Sequence, residues 1–132
     1  MEVNDTTSAK QFLAENRRWQ SELASWQTDL MFNLRMLDIY GLKSESALVA
    51  ENMEKLTSMV KDFQTIRLER VRSQLKSNEV TLGRLVSDEL LLKDREMPFR
   101  HKDDGKDVSE ARVGYHSLQQ QMYALIEQLK AL

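Results

Sequence analysis

The sequence predicts an all-α protein with three helices, and three observations support this prediction. The 132 residues include only one proline and four glycines, so few positions favour tight turns. Charged residues make up 30% and apolar residues 41%, a balance typical of a folded helical protein. Apolar residues recur along most of the chain at alternating steps of four and three, which is the core-position pattern of packed helices. We therefore expect one helical domain covering residues 1–132.

The first predicted helix spans about residues 8–40. Ser8 and Gln11 form a capping-box pattern at its start, and Gly41 is expected to end it in the left-handed conformation. Both tryptophans of the chain occupy core positions, so we interpret them as packing residues and not as the lining of a ligand site. The core positions are Phe12, Asn16, Trp19, Leu23, Trp26, Leu30, Asn33, Leu37 and Tyr40.

The second predicted helix is long and central, covering about residues 44–97. Ser44 or Ser46 can cap its start, and no proline follows until Pro98. Its core pattern shifts near Arg67, which indicates a local change of helix phase without a helix end. The stretch 76–83, KSNEVTLG, is the one place where the sequence allows the helix to be interrupted, near Asn78.

The third predicted helix covers about residues 108–131, after a loop at 98–107. The loop sequence, PFRHKDDGKD, combines a proline, a glycine and many charges, and we expect it to be mobile. Asp107 and Glu110 supply a capping-box pattern for the helix that follows.

Helix lengths lead to a prediction of the assembly. The first helix can fold back on one half of the central helix and the third on the other half, giving two antiparallel coiled-coil-like hairpins end to end. A second apolar stripe would then stay uncovered, and we expect it to be the face of a homodimer with a four-helix cross-section. The alternative is a break near Asn78 and a compact four-helix bundle monomer. The predicted self-association face comprises Leu13, Leu34, Leu48, Leu90 and Leu91.

The residue types give little support to catalysis. The two histidines, His101 and His116, lack the spacing of helical metal sites, and no phosphate-binding or nucleophile motif is present. The acids that accompany His101, at 103, 104 and 107, alternate with basic residues and are expected to be solvated. His116 is expected to pair with Glu89. We predict no enzyme, no metal and no cofactor, and rank a metal-dependent helical enzyme last.

Charge and cysteine content argue against further classes of protein, such as nucleic-acid-binding and membrane-associated proteins. Basic and acidic residues number 19 and 21, so no overall field attracts nucleic acid or an anionic membrane. The chain lacks cysteine and any long apolar run, which leads us to expect a cytoplasmic protein with no membrane association. The strongest nucleic-acid signal is a basic stretch containing Arg67, Arg70, Arg72 and Lys76.

The leading functional hypothesis is a non-enzymatic helical interaction protein: a self-associating adaptor, scaffold or small chaperone-like module that binds a protein partner through its helix faces. The alternative is a nucleic-acid-associated helical protein that uses the stretch from Arg67 to Lys76.

Overall fold

The computed structural model describes residues 5–42, 44–87 and 95–131, and the side chains among these from residue 8 onwards. This part of the chain is almost entirely α-helical and contains no β-strand, so the predicted fold class, all-α, is confirmed. None of its helices combines the length and the apolarity that crossing a membrane would require.

Three long helices make up the described chain. Helix α1 is Asp5–Gly41. The central helix consists of α2, Ala47–Asp62, a π-helical segment, Phe63–Leu68, and α3, Glu69–Ser87. Helix α4 is Met97–Lys130.

The three helices have similar lengths and pack side by side. At about 1.5 Å per residue, α1 and α4 are each roughly 50–55 Å long and the central helix roughly 60 Å. Glu15 contacts His101 near one end of α1, and Lys130 lies over the ring of Tyr40 near the other, so α1 and α4 are parallel. The central helix is antiparallel to both, because Asn16 is bonded to the carbonyl of Leu75 while Gly41, further along α1, lies against Met53. The fold is a three-helix bundle.

The predicted start of the third helix is wrong, and so is the predicted mobile loop at 98–107. The predicted end of the central helix near residue 97 is also wrong, because residues 95 and 96 form a bend and Met97 begins α4. Helix α4 includes all residues of the predicted loop, with Pro98 in its first turn, where proline is tolerated because its missing amide hydrogen would have no helical partner. Asp107 therefore lies inside a helix and caps nothing. The steps of four and three continue backwards from Ala111 without a break, through positions 108, 104, 101 and 97.

The additional length of α4 changes the architecture from that predicted. The two end-to-end hairpins are wrong, because α4 extends along both α2 and α3 and also along α1. It covers part of the second apolar stripe within one chain. Of the predicted self-association face, Leu13 is buried and Leu34 is partly buried against the core, while Leu48 is 65% exposed. Leu90 and Leu91 lie outside the described residues.

The central helix has no break near Asn78. Helix α3 continues through that residue, so the alternative four-helix monomer is wrong. The phase change expected near Arg67 takes the form of the π-helical segment. Val60 and Leu68 are both buried, yet they are eight residues apart instead of the seven of a regular core pattern. A π turn accommodates one residue more than an α turn, so both sides of the segment keep their apolar face towards the core.

The connection between α1 and α2 confirms one predicted cap and corrects another. The Ser46 hydroxyl accepts a hydrogen bond from the amide of Val49, at 3.3 Å, as a serine N-cap does. Gly41 does not have positive φ. Its lack of a side chain instead leaves room for Met53, whose side chain occupies the space that a Cβ atom at this position would need.

Candidate functional site

The interior of the bundle contains a polar layer between two apolar clusters. The smaller cluster includes Leu13, Leu82 and Met97, and the larger one extends from Leu23 to Leu129. The side chains between them are amides, carboxylates and one imidazole, supplied by all three helices. This polar layer consists of Glu15, Asn16, Gln20, Gln74, Asn78, His101 and Asp104.

Asp104 connects α4 to the central helix. The residue is 1% exposed, and its carboxylate accepts hydrogen bonds from Gln74 Nε2, at 2.8 Å, and from Asn78 Nδ2, at 2.6 Å. Burial raises the pKa of this carboxyl above its usual range, although the bond from Asn78 and the nearby His101 oppose the rise. Each carboxylate oxygen accepts one amide hydrogen bond, and these bonds offset part of the free-energy cost of burying the carboxyl group.

His101 connects α4 to α1. Its Nε2 atom lies 2.6 Å from Glu15 Oε1, and its ring is stacked between the rings of Phe12 and Trp19 at 4.3 and 4.7 Å. Its Nδ1 atom is buried and has no hydrogen-bond partner among the described residues. Gly105 permits this stack, because a Cβ atom there would lie 3.2 Å from the Trp19 ring.

The hydrogen bonds of the polar layer can fix the position of each helix along the axis of its neighbour. Asn16 donates to the Leu75 carbonyl at 3.0 Å and accepts from Gln20, so α1 is fixed against α3. A buried polar group tolerates few alternative partners, and sliding one helix by a turn would separate these pairs. Asn16 and Asn78 therefore have the contacts expected of residues that fix the register of neighbouring helices. Asn33 is also buried, but its Nδ2 atom has no partner in the described chain.

The two tryptophans contribute to packing between α1 and α4. Trp26 is 5% exposed and its ring stacks on that of Tyr115 at 5.2 Å, which confirms its predicted role as a core residue. Trp19 is only partly buried and covers His101. Beside them, Arg112 donates two hydrogen bonds to Glu22, at 2.6 and 2.9 Å, and these lower the pKa of the Glu22 carboxyl.

The histidines and acids do not assemble into a metal centre within the described ranges. No three histidine, aspartate or glutamate side chains there lie close enough to hold an ion. His116 is exposed beside Tyr115. Its predicted partner, Glu89, lies outside the described residues. Asp103 is exposed and Asp107 is partly exposed, whereas His101 and Asp104 are buried, so the expectation that this whole stretch is solvated is wrong.

The four basic residues of the predicted nucleic-acid stretch do not share one face. Arg67 and Lys76 are nine residues apart, which at about 100° per residue places them on roughly opposite sides of the helix. Arg72 Nε lies 3.7 Å from Glu69 Oε2. Arg72 also borders a small cavity of about 180 Å³, which residues of α1 line as well. Arg70 and Lys76 are exposed.

Open grooves lie on both sides of α2. The first lies between α1 and α2 and has two adjoining parts, of about 470 and 350 Å³, which share Asp38 and Met53. We call it the α1/α2 groove. Its lining comprises Asp38, Gly41, Leu42, Ser44, Val49, Ala50, Met53, Glu54, Thr57, Ser58, Lys61 and Asp62.

The second groove lies between α2 and α4 and has a volume of about 350 Å³. We call it the α2/α4 groove. Apolar side chains line part of it, and amides and one lysine line the rest. Its lining comprises Asn52, Lys55, Leu56, Met59, Gln121, Ala124, Leu125 and Gln128.

Helix α2 is consequently covered only along a narrow stripe. Val49, Leu56 and Val60 are its buried residues, while Leu48 and Met59 are 65% and 38% exposed. Neither groove was predicted, because both depend on how α4 and α1 lie against α2. The core pattern predicted the burial of one member of the polar layer, Asn16. The members on α4 were missed, although positions 101 and 104 continue the core spacing.

The α1/α2 and α2/α4 grooves and the polar layer are therefore the candidate functional features of this three-helix bundle. Comparisons with protein families, with curated proteins and with solved structures found no match for this chain.

Proposed function

We propose that this chain is a non-enzymatic interaction module that receives an amphipathic helix of a partner protein alongside α2. The observation that carries the proposal is the pair of open grooves on the two sides of that helix. A helix that lies in such a groove would complete a four-helix cross-section at this end of the bundle, a common mode of peptide recognition.

The chemistry of the grooves supports this proposal. Met53 and Met59 line one groove each, and methionine side chains are flexible enough to adapt to different apolar partners. Leu56 and Leu125 add apolar surface in the α2/α4 groove, and Asn52 and Gln128 provide hydrogen-bonding groups beside it. Apolar surface with a polar rim is the usual anatomy of a protein interface.

We assign the docking helix to a different protein and not to a second copy. The homodimer expected from the sequence depended on a continuous uncovered stripe. The bundle interrupts that stripe, because Leu13 is buried and Leu34 is partly buried, although Leu48 stays 65% exposed. The polar layer supports a non-enzymatic role, because its members are hydrogen-bonded inside the bundle, with only His101 Nδ1 unpartnered among its buried atoms in the described chain, and line neither groove.

The proposal is tested by photo-crosslinking in the cells that make the protein. A photo-reactive amino acid is placed at Ser58, in the α1/α2 groove, or at Met59, in the α2/α4 groove. The matched controls are Ser73 on α3 and Lys106 on α4, which are exposed and line neither groove. We expect discrete adducts with another protein from at least one groove position and none from the controls.

The captured protein must then meet a second criterion. A helical peptide from its crosslinked region should bind the purified chain, and Ala124→Trp or Ala50→Trp should weaken that binding by filling one groove. Equal adducts from all four positions would contradict the proposal. Adducts of twice the mass of the chain alone would replace it with self-association.

A further inference from the structure

The α1/α2 groove differs from the α2/α4 groove in its charge. Three carboxylates, Asp38, Glu54 and Asp62, line it, against one lysine, Lys61. None of the three carboxylates forms an ion pair with another described residue. The α2/α4 groove has one charged residue, Lys55, and is otherwise lined by amides and apolar groups. Only the α1/α2 groove is acidic.

The acidic groups lie on both sides of an apolar floor. Asp38 comes from α1, whereas Glu54 and Asp62 come from α2. Met53 lines both parts of the groove beside Asp38, and the part that adjoins the α1–α2 connection adds the buried Val49. A ligand in this groove would therefore meet apolar surface at Met53 and Val49 and carboxylates from both helices, Asp38 on α1 and Glu54 and Asp62 on α2.

The dimensions of the groove match a helix. Its lining on α2 extends from Val49 to Asp62, which is about 20 Å at 1.5 Å per residue. A helix of about 14 residues has the same length. The side chain of Met53 is held against Gly41 and forms part of the floor on which such a helix would lie.

We infer that the α1/α2 groove selects a basic amphipathic helix of a partner protein: one with a stripe of leucine or methionine flanked on both sides by lysine or arginine. The apolar stripe packs on Met53 and Val49, and the flanking cations approach Asp38 on one rim and Glu54 and Asp62 on the other. Complementary charges of this kind contribute chiefly to specificity and to the rate of association. The inference rests on the proposed function and names the class of partner.

The test uses the purified full chain and two designed helical peptides of about 14 residues. Both peptides have the same leucine stripe; one has lysines on its flanks and the other has glutamates. Fluorescence anisotropy measures the Kd of each. We expect the lysine peptide to bind more tightly than the glutamate peptide, and its binding to weaken as ionic strength rises.

Charge reversal in the groove provides the matched comparison. Asp38→Lys with Glu54→Lys should weaken binding of the lysine peptide by about tenfold, because two weak attractions become repulsions. Asp103→Lys with Glu110→Lys makes the same change of net charge at exposed positions of α4 that line neither groove, and should leave the Kd nearly unchanged. Circular dichroism confirms that both double variants remain helical.

Three results would overturn the inference: equal binding of the two peptides, equal loss of binding in the two double variants, or binding of the lysine peptide that Ala50→Trp leaves unchanged. Failure of this inference and failure of the proposed function are distinguishable. If the peptides show no charge preference while crosslinks from Ser58 or Met59 still capture a partner helix, the interaction module stands and only its charge selectivity is lost.

Discussion

At the scale of single residues, this bundle depends on a few buried side chains that link α4 to the other helices. Trp26 and Tyr115 stack between α1 and α4, and Asp104 accepts two amide hydrogen bonds from α3. The sequence predicted the burial of Trp26 because that residue lies on a continuous core pattern. It did not predict the burial of Asp104, since an aspartate among lysines and a glycine is typical of solvated loops.

Replacing Trp26 with alanine should destabilise the protein by about 3–5 kcal/mol, because the substitution removes a buried aromatic side chain and leaves a cavity. Trp19→Ala should cost less, since Trp19 is only partly buried. Urea denaturation followed by circular dichroism measures both values. Equal costs for the two variants would show that burial does not determine their contributions.

The raised pKa of Asp104 predicts a pH-dependent difference between the wild type and Asp104→Asn. The folded chain holds the Asp104 proton more tightly than the unfolded chain. The stability that this group contributes is therefore fully present at acid pH and declines as pH rises from the ordinary aspartate value, about 3.9, to the raised value. Asparagine does not titrate.

The free energy of unfolding of the wild type minus that of Asp104→Asn should consequently fall as pH rises across this window and become constant above it. Urea denaturation of both proteins at a series of pH values measures the difference, and the other acidic groups contribute to both proteins alike. A difference that increases with pH would mean that the pKa of Asp104 is lowered, contrary to this account.

At the scale of the helices, the sequence predicted which side of each helix faces the core, but it did not predict where every helix begins and ends. The core pattern predicted α1 and the change of phase in the central helix, and the serines after the first helix predicted a cap at Ser44 or Ser46, of which Ser46 is the cap. The core pattern also contained the correct start of α4, because positions 97, 101 and 104 continue the steps of four and three. Pro98, Gly105 and the density of charge obscured that continuation. Composition argued for a loop, whereas contacts with α1 and α3 favour a helix.

The π-helical segment provides a prediction at this scale. Deleting Thr65, which is exposed, should let Phe63–Leu68 become regular α-helix and should cost only about 1 kcal/mol, because Val60 and Leu68 would then have the regular spacing of seven. Deleting Ser73, an exposed residue of α3, is the matched control.

The control deletion should be much more costly, since it rotates Leu75, Leu82 and Leu85 by roughly 100° relative to the preceding turns. We expect a loss above about 4 kcal/mol or an unfolded chain. Urea denaturation compares the two deletions. If removing Thr65 were as damaging as removing Ser73, the segment would not be accommodating an extra residue.

At the scale of the whole molecule, the length of α4 determines which surfaces are available. A short third helix would have left a long apolar face for a dimer, but a helix from Met97 to Lys130 covers part of that face within one chain. The coverage is uneven, because α3 shares the polar layer with both neighbours while α2 borders open grooves. The three-dimensional course of α4 could not be derived from periodicity alone, and the grooves depend on it.

Hydrogen exchange along the central helix tests the claim on which the functional account depends. Helix α2 and α3 belong to one continuous helix, so they provide an internal comparison under identical conditions. Amides in a poorly covered helix open more readily than those in a well-packed one. We expect amides from Val49 to Val60 to exchange about tenfold or more faster than those from Val71 to Leu82. Equal protection along the whole central helix would contradict the account, because α2 would then be as well covered as α3.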